Sequence, residues 1–262
     1  MSMKDNFTAR RVLAIFAHPD DESLVAGGTL KACSEKGLET IIICLTSGEL
    51  GFIADAGLAT RESLGAVRRT ELRAAGNKLG AKTVECFNYP DGELAWTNAP
   101  EIVKLLGETI NNYQPEVIIT FGADGLYWHP DHIAVYELTK SVLSSNLNRD
   151  FSPAVYYATF PEDLMLALAQ ELELRGLNFN AWGIEPAAFG AASSTITTRL
   201  DVRKHLDAKI AALKCHRTQF DENNSFVSLP PDLAEKFLGW EYFVKAGARQ
   251  NKTDILAEIV GK

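Results

Sequence analysis

The sequence predicts an α/β fold: a Rossmann-like, mostly parallel sheet flanked by helices. It reads as a single domain over residues 1–262, with an irregular C-terminal extension from about residue 220. Three observations predict this. Short unbroken apolar runs rich in branched residues recur along the chain, as in strands buried on both faces. Segments with an apolar stripe at helical spacing lie between them, the alternation of a doubly wound sheet. No internal repeat, linker or block of like charge divides the chain.

The elements follow in order. Residues 12–17 (VLAIFA), 40–45 (TIIICL), 116–121 (EVIITF) and 153–159 (PAVYYAT) are the expected strands. A helix over 24–35 stops at Gly37, a residue suited to a left-handed helix end. A second, over 60–79, carries Leu64, Val67, Leu72, Ala75 and Leu79 on one side and ends at Gly80. A third, over 100–113, opens on Pro100 and lines up Ile102, Leu105, Leu106 and Ile110. Segments 50–60 and 87–99 read as loops. Further on, 162–174 reads as helix, 194–202 as a strand leading into a helix over 203–216, and 232–237 as a short helix before a C-terminal one.

Composition bounds the function. Hydrophobic residues make up 46% and charged residues 23% of 262, which excludes a disordered or low-complexity chain. The formal charge of −8 argues against nucleic acid or an anionic membrane surface as main partner. Cys33, Cys44, Cys86 and Cys215 are scattered and form no CxxC pair, so they are expected reduced and mostly buried. The polar start MSMKDNFTARR lacks an apolar core of a signal peptide, and no apolar run reaches membrane-spanning length. A cytoplasmic protein with no membrane span is expected.

Two clusters carry chemistry. His18-Pro19-Asp20-Asp21-Glu22 follows the first strand, and His129-Pro130-Asp131-His132 lies in the loop after the strand ending at Phe121. Both sit beyond the carboxyl ends of parallel strands, where open α/β sheets form ligand sites. Imidazole and carboxylate suit a borderline divalent cation such as zinc. Two His and one Asp leave a coordination position open for water, the pattern of a catalytic centre. His18 and Asp21 are one tight turn apart, so both can face one ion while Asp20 stays free as a base. His132 can complete the set, leaving His129 to donate a proton or hydrogen bond. The plainer alternative is a His-Pro turn with Asp20 and Asp21 capping a helix.

AHPDDE followed about 110 residues later by HPDH resembles the zinc-dependent N-deacetylases that include the N-acetylglucosaminyl-phosphatidylinositol deacetylases and LmbE-like proteins. Thr46-Ser47-Gly48-Glu49, Arg68 to Glu71, Leu79-Gly80, Asp91-Gly92 and His216-Arg217-Thr218-Gln219 extend the resemblance over residues 11–220. It implies His18, Asp21 and His132 as ligands of Zn2+, with another divalent cation as alternative. It implies Asp20 as general base and His129, oriented by Asp131, as oxyanion stabiliser or proton donor. Tyr127 matches a tyrosine that reaches the reacting carbonyl, and Arg68 and Glu49 match positions lining the substrate pocket. Trp128 is bulkier than the pattern leads one to expect. The implied reaction removes an acetyl group from an N-acetylated amino sugar of N-acetylglucosamine type or its conjugate. The resemblance is compatible with a homo-oligomer, trimer or hexamer, and implies no more about assembly.

Other features have plain readings. Arg68 and Glu71 at helical spacing could be a surface ion pair. Gly27-Gly28 suggests close packing of helix on strand. His205 and His216 flank one helix; His216 is placed to meet its last carbonyls, and neither is assigned to catalysis. Trp96 could ride on a lid. Two other functions stay open: a metal hydrolase acting on another amide or ester, and a non-catalytic sugar or nucleotide binder.

Overall fold

The computed structural model describes residues 10–145, 147, 151–247 and 253–261. The chain runs β1 (Arg11–Phe16), α1 (Asp21–Glu35), β2 (Glu39–Thr46), α2 (Leu64–Leu79), β3 (Thr83–Tyr89), α3 (Ala99–Tyr113) and β4 (Val117–Phe121). There follow α4 (Gly125–Trp128), α5 (Pro130–Ser145), β5 (Ala154–Thr159), α6 (Leu164–Glu173) and β6 (Thr198–Asp201). Last come α7 (Leu206–Leu213), α8 (Ser225–Ser228), α9 (Pro231–Leu238), β7 (Trp240–Lys245) and α10 (Ile255–Val260).

The strands form one seven-stranded sheet in the order β3-β2-β1-β4-β5-β7-β6. β1 to β5 run parallel, and β7 enters antiparallel between β5 and β6. Four of the five parallel strands are the expected apolar runs. Their residues are buried on both faces because α1, α2 and α7 pack together on one side and α3 with α5 on the other. The strand order reverses between β1 and β4, which lie side by side in register Val12–Val117. Whatever follows their carboxyl ends must meet at this switch point.

Three elements depart from expectation. β3 occupies residues expected partly as loop; it is an edge strand, half-buried except for the exposed Asn88, and so lacks a continuous apolar run. The segment beyond 220 is no mere extension, since it supplies β7. HPDH is not in a loop: Pro130 opens α5 with its fixed φ, and Asp131 stands in the first turn. The expected helices over 60–79 and 203–216 are shorter, at Leu64–Leu79 and Leu206–Leu213. Gly28 makes a close approach, but to Val202 rather than a strand: an added Cβ would lie 2.5 Å from the Val202 side chain.

Candidate metal centre

β1 ends at Phe16, so His18, Asp20 and Asp21 turn over the switch point into α1. From β4 the chain passes through the distorted turn α4 and enters α5 with His132. His18 and His132 thereby come within 3.3 Å, Nδ1 to Nε2.

The outer nitrogen of each ring decides its tautomer. His18 Nε2 faces the Asp91 carboxylate at 3.0 Å and the Asp131 carboxylate at 3.2 Å. Those oxygens accept, so Nε2 carries a hydrogen and Nδ1 is the nitrogen that faces His132 and Asp21. His132 Nδ1 donates to the Gly125 carbonyl at 3.0 Å, which leaves Nε2 bare. The Phe121 ring stacks on His132 at 3.8 Å between centroids and fixes its plane. Asp21 Oδ1 lies 3.3 Å from His132 Nε2, and Asp21 Oδ2 lies 3.6 Å from His18 Nδ1. Two buried ring nitrogens and a carboxylate therefore point at one another, an arrangement that a shared cation or proton alone makes favourable. Ligands 2.0–2.1 Å from a tetrahedral zinc stand about 3.3 Å apart; His18–His132 and Asp21 Oδ1–His132 match that, while Asp21 meets His18 through its other oxygen at 3.6 Å. Carboxylates behind a ligating imidazole also orient it and raise its basicity. His18, His129 and His132 form one donor cluster, and His18, Asp91 and Asp131 overlap it. The donor set fits a divalent cation.

The charges agree. Burial opposes ionisation of His18, yet its bonds to Asp131, Asp21 and Asp91 hold its pKa well above the ordinary value. Burial would raise Asp91, but the bond to His18 takes it down to about 2. For Asp21, burial is likewise outweighed by His132 and His18, and its pKa is lowered.

Asp20 stands apart. Its φ of 122° is rare for any residue but glycine, and its carboxylate caps nothing. Arg68 Nη2 holds it at 2.9 Å and also bonds the Pro19 carbonyl at 2.6 Å, while Nη1 bonds the Gly48 carbonyl at 2.7 Å. Arg68 is thus buried against the site and makes no surface pair with Glu71, whose carboxylate instead receives the Thr218 N–H and hydroxyl. Burial pushes Asp20 up to about 7, against the pull of the Arg68 charge. That is the range of a general base at neutral pH.

The structure brings His129 and Tyr127 to the cavity but alters two expectations. Asp131 does not orient His129 through its carboxylate, which is taken by His18 and by the Gly92 and Leu94 N–H groups. Its backbone N–H does so, donating to His129 Nδ1 at 3.2 Å, so that Nε2 carries the hydrogen. Burial and the neighbouring His132 and His18 press His129 down to about 4, making it a neutral donor. Glu49 does not line the cavity: its oxygens accept from the Ser47 hydroxyl and the Asp91 N–H, so it shapes the 91–94 turn. Tyr127 lines the cavity, and burial with the Asp21 and Asp20 charges raises its hydroxyl, which stays protonated.

The cavity is ≈ 220 Å³ and also lined by Phe52, Asp91, Trp182, Ile184 and Gln219. Sequence reasoning assigned none of these five; Asp91 and Gln219 were visible only as parts of short motifs. A second cavity of ≈ 260 Å³ shares the walls Phe52, Trp182 and Gln219. Trp96 and Trp128 are exposed and line neither. No helix among the described residues is long and apolar enough to cross a membrane.

An open His/Asp centre with a spare carboxylate and imidazole, at the switch point of a doubly wound sheet, defines a metal-dependent hydrolase of the C–N-bond class. The chain belongs to the PIG-L family, described as GlcNAc-PI de-N-acetylases, whose profile matches residues 13–143. It is 30% identical over 259 residues to the 1D-myo-inositol 2-acetamido-2-deoxy-alpha-D-glucopyranoside deacetylase of Acidothermus cellulolyticus, covering 90% of this chain and 88% of that protein. In fold it resembles the N,N'-diacetylchitobiose deacetylase of Pyrococcus horikoshii, with TM-score 0.60, 24% identity and coverage of 90% and 82% of the two chains. It also resembles GalB, the 4-carboxy-2-hydroxymuconate hydratase of Pseudomonas putida, with TM-score 0.57, 21% identity and coverage of 87% and 82%. One fold thus carries more than one chemistry, and the reaction must be argued from the site.

Proposed function

We propose that this protein is a zinc-dependent deacetylase that releases acetate from an N-acetylated amino sugar of N-acetylglucosamine type carrying a further group. The observation that carries the reading is the convergence of His18 Nδ1, Asp21 and His132 Nε2 within 3.3–3.6 Å beside Asp20. These three side chains would hold the ion, which when bound polarises an amide carbonyl and acidifies water.

The chain's own groups supply the rest. Asp20 takes the proton of the attacking water; Arg68 fixes the carboxylate that does so. His129 Nε2–H and the Tyr127 hydroxyl offer hydrogen bonds where negative charge grows on the substrate oxygen, and removing one such donor typically costs about 100- to 1000-fold in rate. The proton gained by Asp20 passes to the nitrogen, which leaves as a free amine. Asp131 holds both His18 and, through its N–H, His129. Glu49 acts on the substrate side only through the turn that presents Asp91. The second cavity behind Phe52 and Trp182 gives room for the group attached to the sugar.

The test is amine release from N-acetylglucosamine and from its glycosides by zinc-loaded protein, with metal-stripped protein as control. Release that depends on zinc supports the reading. Hydrolysis of simple esters alone, or sugar binding without release, would overturn it.

A further inference from the structure

We infer that Glu22 and His216 are positioning residues for Asp20: together they clamp its backbone in the conformation that presents the carboxylate to the cavity. The inference rests on the reading of Asp20 as the base.

Glu22 Oε2 accepts the Asp20 N–H at 3.0 Å. Its other oxygen accepts the Ser23 hydroxyl at 2.6 Å and His216 Nε2–H at 2.8 Å. Glu22 and His216 are both fully buried, and they come from opposite ends of the chain, 194 residues apart. A buried carboxylate persists as an acceptor only with such a partner. Asp20 has φ 122°, where ordinary helix caps have extended backbone, so ordinary capping does not account for the contact. A residue strained in this way relaxes unless its surroundings over-determine it. Three contacts do so here: Glu22 on the N–H, Arg68 on the carboxylate, and the Ser23 and Leu24 N–H groups on the carbonyl.

The neighbouring residues explain why the partner arrives from residue 216. Thr218 bonds Glu71 of α2, the Thr218 carbonyl accepts the Ala54 N–H, and Gln219 bonds the Phe52 carbonyl. The 216–219 segment is thus pinned to α1, α2 and the loop after β2 at once. The His216 ring turns to Glu22 instead of the last-turn carbonyls of α7, and only its backbone N–H bonds one, Leu213 at 3.1 Å. His216 Nδ1 has no hydrogen-bond partner among the described residues, so the ring's polar contacts are Glu22 at 2.8 Å and the Ser23 hydroxyl at 3.4 Å, both at Nε2.

The experiment compares Glu22→Ala, Glu22→Gln, Asp20→Ala and the Asp20→Ala/Glu22→Ala double variant for kcat, KM, zinc content and Tm. Glu22→Ala is expected to lose about 10- to 100-fold in kcat, the scale seen for supporting-shell partners, with KM and zinc content unchanged. Glu22→Gln, whose carbonyl still accepts the Asp20 N–H, restores most of kcat. In the Asp20→Ala background, Glu22→Ala costs nothing further, because the clamp acts through Asp20. Should Glu22→Ala fail to fold, His216→Ala replaces it, with His216→Gln as the retaining variant. Parental kcat in Glu22→Ala, loss of zinc, or an equal fold-loss in both backgrounds overturns the clamp. Full activity in Asp20→Ala instead overturns the assignment of the base, a separate result from the same set.

Discussion

Strain marks the site residue by residue. Of five non-glycine residues with positive φ among those described, Asp20, Leu126, Trp128 and Trp182 belong to the site or to the segments that form it, while Gln114 ends α3. Each costs of order 1–3 kcal/mol and survives because its surroundings hold it. Asp20→Asn keeps the size and an acceptor for Arg68 but removes the base. It should retain zinc and lose about 100- to 10,000-fold in turnover, checked by metal analysis beside steady-state rates. Asp21→Ala and His132→Ala should instead lose the metal, since each removes one of three converging donors; zinc bound as tightly as in the parent would refute the ligand set. The pH profile carries a sign. A carboxylate pushed up to about 7 by burial is protonated, and idle as a base, below that pH. kcat/KM should therefore fall on the acid side, along a limb at or below about 7 because a bound cation lowers Asp20 further. A limb well above neutrality would exclude Asp20.

Elements differ in how far the sequence reveals them. The strands β1, β2, β4 and β5 are legible because burial on both faces forces continuous apolar runs. β3 is not, since an edge position asks for less. β7 hides differently: it places Glu241 and Lys245 in buried positions, so its pattern reads as polar. The Glu241 carboxylate accepts the Gly28 and Thr29 N–H groups inside α1 and the Lys209 ammonium at 2.7 Å. Lys209 also packs on Gly27, where an added Cβ would lie 3.2 Å from its side chain, while Gly28 makes room for Val202. That His18, Asp21 and His132 meet was legible because donor types at strand ends are a local signal. Trp182 and Gln219 were not, because only the path of the chain after β5 brings them to the cavity. Glu241→Ala leaves Lys209 as a buried unpaired charge, and should cost about 3–5 kcal/mol, read as a lowered denaturation midpoint. Replacing Glu241 and Lys209 together by Leu and Met should recover part of that loss.

At the scale of the molecule, the fold places its most crowded set of buried ionisable groups at the point where the sheet reverses. His18, Asp21, Asp91, Asp131 and His132 are each less than a tenth exposed, and they come from the segments after β1, β3 and β4. Bringing these segments together sets two inward-facing ring nitrogens against a carboxylate, and a cation bound among them would tie separate elements of the sheet edge. Metal binding at this proposed site would be linked to folding, because the unfolded chain scatters the donors more than 100 residues apart. Zinc at about 1,000 times its dissociation constant should add about 4 kcal/mol to stability. A chain of this size gains roughly 2–4 °C in Tm per kcal/mol. Thermal unfolding with and without chelator should show that shift in the parent and in Asp20→Asn, which keeps all three ligands. It should vanish in Asp21→Ala, whose Tm then no longer depends on zinc. A parent protein whose Tm ignores chelation would show that these side chains meet for some other reason.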